Sequence, residues 1–513
     1  MSTATSFATG AATAARPDVA LRPLALALLL VAGLTALRLT GTVDSDVAWQ
    51  LWIAGRIHAG AHLYRDIVET NPPLWFWMAL PVDRIATLLH VRIEGVLIVA
   101  IGTLSGLALT ATDRLVRHIL PRPRALLLGY AALCLMAMPW LHVGQREQIA
   151  LIGTLPYAAL IAARREQRAV SPALALLIGA GAALSFSLKH YFLLVPLLLE
   201  LWLVLGGLRR WRAVRPETVA VAATGIAYAV AVLLFAPAFL TTIIPLLRLA
   251  YGDVGAPSAR YLFGPYAVVG MVALTLVGAH AKLLRGKEAS FAAALFVASL
   301  GYAAAYFLQL KGWAYHAIPL VGCASLALAA LLAESSAPLK TVRLVAPALL
   351  SLPLFLAADD ARRSTGPGAD LAGAIAGLHA GDSIGFVTTE TATAWSVTLQ
   401  GRYRYASRYN GFWMMPAIAA NERAAEPDPR LTRLGRQIVA DTVTDFACFS
   451  PKRIVVWRSR DGRGGSDLLP FFLRDPRFAA LLSHYRVRSR TTLETYELVS
   501  PLPLPSGPCR TGI

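Results

Sequence analysis

Charge is scarce in this sequence: Asp, Glu, Lys and Arg make up 15% of 513 residues, while 56% are hydrophobic and the mean hydropathy is +0.55. So little polar surface cannot cover a soluble globule of this size, which leaves the bilayer as the solvent. Cysteine is scarce too. The four cysteines show no Cys-x-x-Cys spacing, which argues against a cysteine-based zinc or redox centre. Cys134 and Cys323 lie in apolar stretches, whereas Cys448 and Cys509 lie in the polar C-terminal part, where a disulfide between them is chemically permitted if that part is periplasmic. The chain has no internal repeat and no low-complexity linker. Acids are the minority among the charges, giving a formal net charge of +18 and a pI near 10.1. Yet Lys and Arg punctuate the apolar stretches instead of forming one basic face with interleaved aromatics. No nucleic-acid partner is expected, and the basic residues read as topology signals.

Long apolar runs are what the sequence does have. They predict about eleven transmembrane helices: Leu21–Thr40, Ile93–Ala111, Ala125–Leu141, Ile149–Ala163, Ser171–Ser185, Phe192–Leu205, Thr218–Phe239, Pro265–Ala281, Phe291–Leu308, Ile318–Ala333 and Val342–Ala357. The first run, preceded by Arg16 and close to Arg22, resembles a secretory signal but lacks a small-residue cleavage site, so it is read as a retained helix. Basic clusters occupy alternate loops: Arg114, Arg117, Arg122 and Arg124; Arg164, Arg165 and Arg168; Arg209, Arg210, Arg212 and Arg215; Lys282, Arg285 and Lys287; Lys340 and Arg343. By the positive-inside rule that side, with the N-terminus, is cytoplasmic, in a bacterial inner (plasma) membrane.

The opposite loops hold the polar residues that look chemically purposeful: Asp44, Asp46, Glu69, Arg146, Glu147, Lys189, His190, Lys311 and His316. Pro72–His90 is apolar and aromatic, but counting it as a span would invert every later loop. It is expected to lie at the outer interface, anchored by Trp75, Phe76 and Trp77. After Ala357 the sequence turns mixed, with strand-like runs at Ser383–Thr388 and Arg453–Val456 and a helical stretch at Asp370–Leu378. The expected fold is an α-helical polytopic membrane domain, 1–357 with its first periplasmic loop 41–91, followed by a periplasmic α/β domain, 358–513.

The first loop carries Asp44-Ser-Asp46-Val-Ala-Trp49, then Gly60-Ala-His-Leu-Tyr64, then Glu69-Thr-Asn71-Pro72-Pro73-Leu-Trp75. Two carboxylates placed where the chain leaves the bilayer suit a general base, being fixed by the preceding helix and part-shielded from water. The plain alternative is a pair of solvated loop acids capping a helix. The order of Asp46, Trp49, Gly60, Leu63, Tyr64, Pro72, Pro73 and Leu74 resembles the GT-C superfamily of membrane glycosyltransferases, in particular the bacterial branch related to dolichyl-phosphate-mannose protein mannosyltransferases and lipid A aminoarabinose transferases. Asp44-Ser-Asp46 departs from the commoner adjacent Asp-Glu pair, and spacing to Trp49 favours Asp46 over Asp44 as the base.

The resemblance implies inverting transfer of a sugar from a polyprenyl-phosphate donor to a hydroxyl of a lipid, glycan or protein acceptor on the periplasmic face. A departing lipid phosphate needs cationic donors and no general acid. Lys189-His190-Tyr191 supplies one set, or else a lysine snorkelling beside an aromatic belt. Lys311 and His316 are expected to contact phosphate or sugar. Trp313 and Tyr315 beside them read as belt residues before sugar platforms. Arg146 and Glu147 read first as a mutual ion pair, with Arg146 the alternative second phosphate ligand, and Tyr64 and Glu69 complete the donor-site candidates. Arg402, Tyr403, Arg404, Tyr405, Arg408, Tyr409 and Trp413 read as a solvated domain surface before a face for anionic glycan or headgroups. Asp44 and Asp46 have the hard oxygens a divalent metal prefers, but two acids are few and Lys and Arg suffice for a monophosphate, so no cofactor is expected. The alternatives from other classes are a flippase or transporter for a lipid-linked glycan, and a surface-polysaccharide polymerase or ligase. A transporter would place charges at mid-membrane, whereas most of these lie at outer helix ends.

Overall fold

The computed structural model describes residues 17–117, 124–208, 211–251, 259–284, 289–334, 340–363, 369–458, 467–491, 493–503, 505 and 509. Arg16, Arg122, Arg209, Arg210, Arg285 and Lys287 of the basic clusters lie outside these residues.

The chain opens with α1 (Pro17–Arg38), followed by two helices in the first polar segment, α2 (Ser45–His58) and α3 (Leu74–Leu89). Next come α4 (Ile93–Val116), α5 (Arg124–Met136), α6 (Arg146–Arg165), α7 (Pro172–Phe186), α8 (Leu194–Leu205), α9 (Pro216–Phe235), α10 (Ile244–Ala250), α11 (Ala259–Leu262), α12 (Pro265–Ala279), α13 (Ala281–Leu284), α14 (Ser290–Gln309), α15 (Ile318–Glu334) and α16 (Lys340–Arg363). A helix lies under each of the eleven apolar runs. Five segments, Ile93–Val116, Pro216–Phe235, Ser290–Gln309, Ala314–Glu334 and Arg343–Arg362, are long and apolar enough to cross a membrane. The chain is a membrane protein.

Helices α6, α14 and α15 form the centre of the bundle and are buried along most of their length. In contrast, Leu233, Leu234 and Phe235 of α9 face outward, as lipid-facing residues must. Small residues set how closely the central helices approach. At Gly301 of α14 a Cβ would lie 2.9 Å from the Val195 Cα of α8, and at Gly179 of α7 a Cβ would lie 2.6 Å from the Glu217 carbonyl oxygen of α9. Helix starts are marked in sequence: Ser171 caps α7, and Pro216 occupies the first turn of α9, where a missing N–H costs nothing.

The C-terminal part adds α17 (Ala369–Ile375), β1 (Ser383–Val387), α18 (Thr391–Thr398), β2 (Arg404–Tyr405), α19 (Met415–Arg423), α20 (Pro429–Phe449), β3 (Arg453–Trp457), α21 (Leu469–Phe472), α22 (Pro476–Leu482), β4 (Tyr485–Arg490) and β5 (Leu493–Leu498). The sheet order is β2-β1-β3-β5-β4, with β1 parallel to β2 and β3 and the β4–β5 hairpin antiparallel. Strand β1 is buried at every residue, as a strand covered on both faces must be. Phe446 of α20 packs against Gly385 of β1, where a Cβ would lie 2.7 Å from its ring. Cys448 and Cys509 are joined in a disulfide.

The C-terminal part closes on the first polar segment. Trp49 and Trp52 of α2 stack at 4.8 Å and meet Trp395 of α18 at 4.8 and 5.4 Å, and Trp395 meets Tyr405 at 4.7 Å. The Val68 N–H donates to the Arg408 carbonyl at 2.8 Å.

Two expectations are corrected here. Trp75 and Phe76 are buried within the protein, so they are not interfacial anchors; the apolar residues that α3 exposes are Ile85, Leu88 and Leu89. Nor is the basic-aromatic cluster a solvated surface. Arg402 and Arg404 are exposed, but Tyr405, Arg408 and Tyr409 are buried, and Arg408 pairs with Asp445 at 2.6 Å and Asp441 at 2.8 Å. A buried guanidinium needs these carboxylates, and α20 supplies both from one face.

Candidate active site

The first turn of α2 carries Asp46, and Asp44 caps that turn by accepting the Asp46 N–H at 2.8 Å. Capping does not exhaust Asp44. Its other oxygen meets His142 Nδ1 at 2.8 Å, and Gln145 Nε2 donates to Asp44 at 3.1 Å and reaches Asp46 at 3.5 Å. The Tyr315 hydroxyl donates to Asp46 Oδ2 at 3.0 Å. Asp46 remains partly exposed. Burial, then the negative charge of Asp44, push its carboxyl up to about 6 against the opposing pull of Arg146 and Tyr315. A carboxylate with that affinity is mostly ionised at neutral pH yet able to take a proton.

The turn from Tyr64 to Pro73 forms a second wall. Tyr64 adopts a left-handed φ of 72°, and its hydroxyl donates to the Asn71 carbonyl at 2.6 Å. Glu69 is buried and accepts from the Asn71 N–H at 2.7 Å, from the Asn71 amide at 2.6 Å and from the Trp49 indole. Asn71 in turn accepts from Arg146, whose guanidinium lies 4.5 Å from the Trp75 ring centroid. Glu69 and Trp75 thus act on Arg146 by orienting it.

Arg146 and Glu147 begin α6, and the expected pair between them does not form. Neighbours on a helix point about 100° apart, so Arg146 turns toward the first loop while Glu147 turns inward. Glu147 binds Lys189 at 2.5 Å. Lys189 sits between α7 and the short turn His190–Leu193, and its ammonium also donates to Gln309 at 3.1 Å and meets His316 Nε2 at 3.0 Å. It is buried, not snorkelling. Burial pulls it down to about 8, with Glu147 opposing.

Tyr315 and His316 lie in a short turn, Ala314–Ala317, that leads into α15. Both are buried, so Tyr315 is a partner of Asp46 and not a belt residue, whereas Trp313 is exposed as a belt residue should be. Lys311 lies 4.3 Å from the Tyr251 ring centroid, on a loop shaped by left-handed Leu310 and Gly312. His190 stands apart: it is exposed and stacks on Tyr191 at 3.9 Å.

The structure therefore brings Asp44, Asp46, Tyr64, Glu69, Arg146, Lys189 and His316 into one connected polar cluster, with Lys311 at its edge and His190 outside it. Asn71, Gln145, Glu147, Gln309 and Tyr315 are its further members, together with His142, which the sequence reading passes over. His142 sits on the loop between α5 and α6, near the left-handed turn at Gly144. Four side-chain atoms here are buried without a hydrogen-bond partner: Gln145 Oε1, Arg146 Nε, Glu147 Oε2 and His316 Nδ1. Orphaned polar atoms gathered in one place are what a site built for a polar ligand shows. Among the described residues no three His, Cys, Asp or Glu side chains group as a metal site would require.

No family model matches the chain, and no curated protein does. Among solved structures it is similar to ArnT from Cupriavidus metallidurans bound to undecaprenyl phosphate, at TM-score 0.49 and 14% identity over 94% of this chain and 98% of that one. It is also similar to the oligosaccharyltransferase AglB from Archaeoglobus fulgidus in complex with an inhibitory peptide and a dolichol-phosphate, at TM-score 0.43 and 11% identity over 85% of this chain and 69% of that one.

Proposed function

We propose that this protein is an inverting glycosyltransferase that moves a sugar from a polyprenyl-phosphate donor to an acceptor hydroxyl on the periplasmic face of the inner membrane. One observation carries the reading: a partly exposed carboxylate, Asp46, shares a single polar cluster with the buried cations Arg146 and Lys189. Asp46 takes the proton from the acceptor hydroxyl, whose oxygen attacks the anomeric carbon from the face opposite the lipid phosphate. The bond to that phosphate breaks, and the pair of electrons leaves with it. Arg146 and Lys189 hold the charge that develops there, and no proton need be supplied to the leaving group. Gln145 and Tyr315 aim Asp46, while Glu147, Gln309 and His316 hold Lys189.

The test uses purified protein with undecaprenyl-phosphate-linked sugars, following release of undecaprenyl phosphate by mass spectrometry. Asp46→Asn should lower turnover by roughly 10²–10⁴-fold while undecaprenyl phosphate still binds. Retained turnover would remove Asp46 from the mechanism, and lipid movement without bond cleavage would favour a transporter.

A further inference from the structure

A second polar site lies at the far end of α6, which at 20 residues holds it roughly 30 Å from the Asp46 cluster. There the C-terminal ends of α6 and α8 and the start of α9 border a half-open cavity of about 550 Å³. Arg164, Arg165, Arg168, Arg212 and Arg215 line it, and among the described residues no carboxylate-bearing residue does. The acids that these arginines meet sit behind the wall: Arg164 and Arg215 share Glu217 at 2.9 Å, Arg215 also meets Glu200, and Arg168 meets Glu166. Among the described residues five guanidinium groups thus face three carboxylates, an excess of two positive charges at the cavity.

Two arginines carry that excess. Arg165 donates to the Trp202 carbonyl at 3.0 Å and lies 4.9 Å from the Trp202 ring centroid, with no carboxylate paired to it among the described residues. Gly206 leaves it room, since a Cβ there would occupy the guanidinium's place. Arg212 is exposed. Apolar surface faces outward beside it: Val214 of the lining is 79% exposed, and Leu205 and Leu208, next in sequence to the lining glycines Gly206 and Gly207, are 75% and 69% exposed, which fits acyl chains better than water.

We propose that this cavity binds the phosphate of an anionic phospholipid headgroup, in the leaflet opposite the Asp46 cluster. Guanidinium forks match phosphate oxygens, and a basic pocket between helix ends beside exposed leucines holds both halves of such a lipid. The same phosphate chemistry could come from a soluble phosphate, and the experiment separates the two. Full-length protein is reconstituted in nanodiscs holding equal amounts of phosphatidylglycerol and phosphatidylcholine, and the lipids retained on it are counted by native mass spectrometry. Wild type should retain phosphatidylglycerol preferentially. Arg165→Gln/Arg212→Gln should lower that preference about thirtyfold, from two arginine–phosphate contacts, without stranding any carboxylate. Arg212→Glu alters an exposed side chain only and should lower it with the fold intact. Millimolar inorganic phosphate should leave the lipid in place. Equal preference in wild type and variants, or displacement by inorganic phosphate, would overturn the assignment.

Discussion

Asp46→Asn is expected to stabilise the protein while it destroys turnover. A carboxyl held at about 6 instead of 3.8 carries about 3 kcal/mol of differential free energy, at about 1.4 kcal/mol per tenfold change in proton affinity. The folded state binds this proton more tightly than the unfolded chain does. The stability linked to Asp46 is therefore fully present below pH 3.8, is lost as pH rises through about 6, and stays lost above. Asparagine is neutral throughout and its carbonyl still accepts from Tyr315. Allowing for screening at the exposed edge of Asp46, the variant should be more stable than wild type by about 1–3 kcal/mol at pH 7.5 and equal to it at pH 3.5. The assay is thermal unfolding in detergent at the two pH values, read beside turnover. A variant no more stable at pH 7.5, or one whose advantage does not change with pH, would refute the account of a strained, desolvated base.

Three further outcomes follow from the same geometry. The pH profile of kcat/KM should be bell-shaped, with the acid limb near 6 from Asp46 and the alkaline limb near 8 from Lys189, whose charge holds the phosphate; a flat profile between pH 5 and 9 contradicts both roles. Lys189→Met should cost about 3–5 kcal/mol because it leaves Glu147 buried and unpaired; Lys189→Met/Glu147→Gln should recover stability but not undecaprenyl-phosphate binding, measured by native mass spectrometry. Trp395→Ala should cost about 3–5 kcal/mol and lower turnover although Trp395 does not touch Asp46, with limited proteolysis showing the C-terminal part released.

The helices under the eleven apolar runs were legible because an apolar run is a one-dimensional signal: burial in lipid or protein needs no partner to be named. The first-loop candidates were legible for a related reason, since Asp44, Asp46, Tyr64 and Glu69 lie within one short segment. What could not be read was pairing across the bundle. Lys189 meets Glu147 and His316, and Asp46 meets Tyr315, only because α6, α7 and α15 pack as they do. Aromatic composition also cannot distinguish lipid from protein as the neighbour, which is why Trp75, Phe76 and Tyr315 were misplaced. Arg408 shows the same limit for charge: its partners Asp441 and Asp445 lie more than thirty residues on. The β4 strand was hidden differently. Tyr485-Arg-Val-Arg-Ser-Arg490 alternates strictly, with its first residue buried and alternate arginines exposed, so the period-two signal was present but masked by charge.

The aromatic clasp between Trp49, Trp52 and Trp395 has a consequence for biosynthesis. Asp46 is made and inserted early, but the side chains that lock its helix in place come from residues near 395 and 405, almost 350 positions later in translation. Such a long wait between a segment and its support means that the nascent protein crosses most of its insertion with the proposed base unclamped. The clamp on the proposed base can close only after the last quarter of the chain has been made.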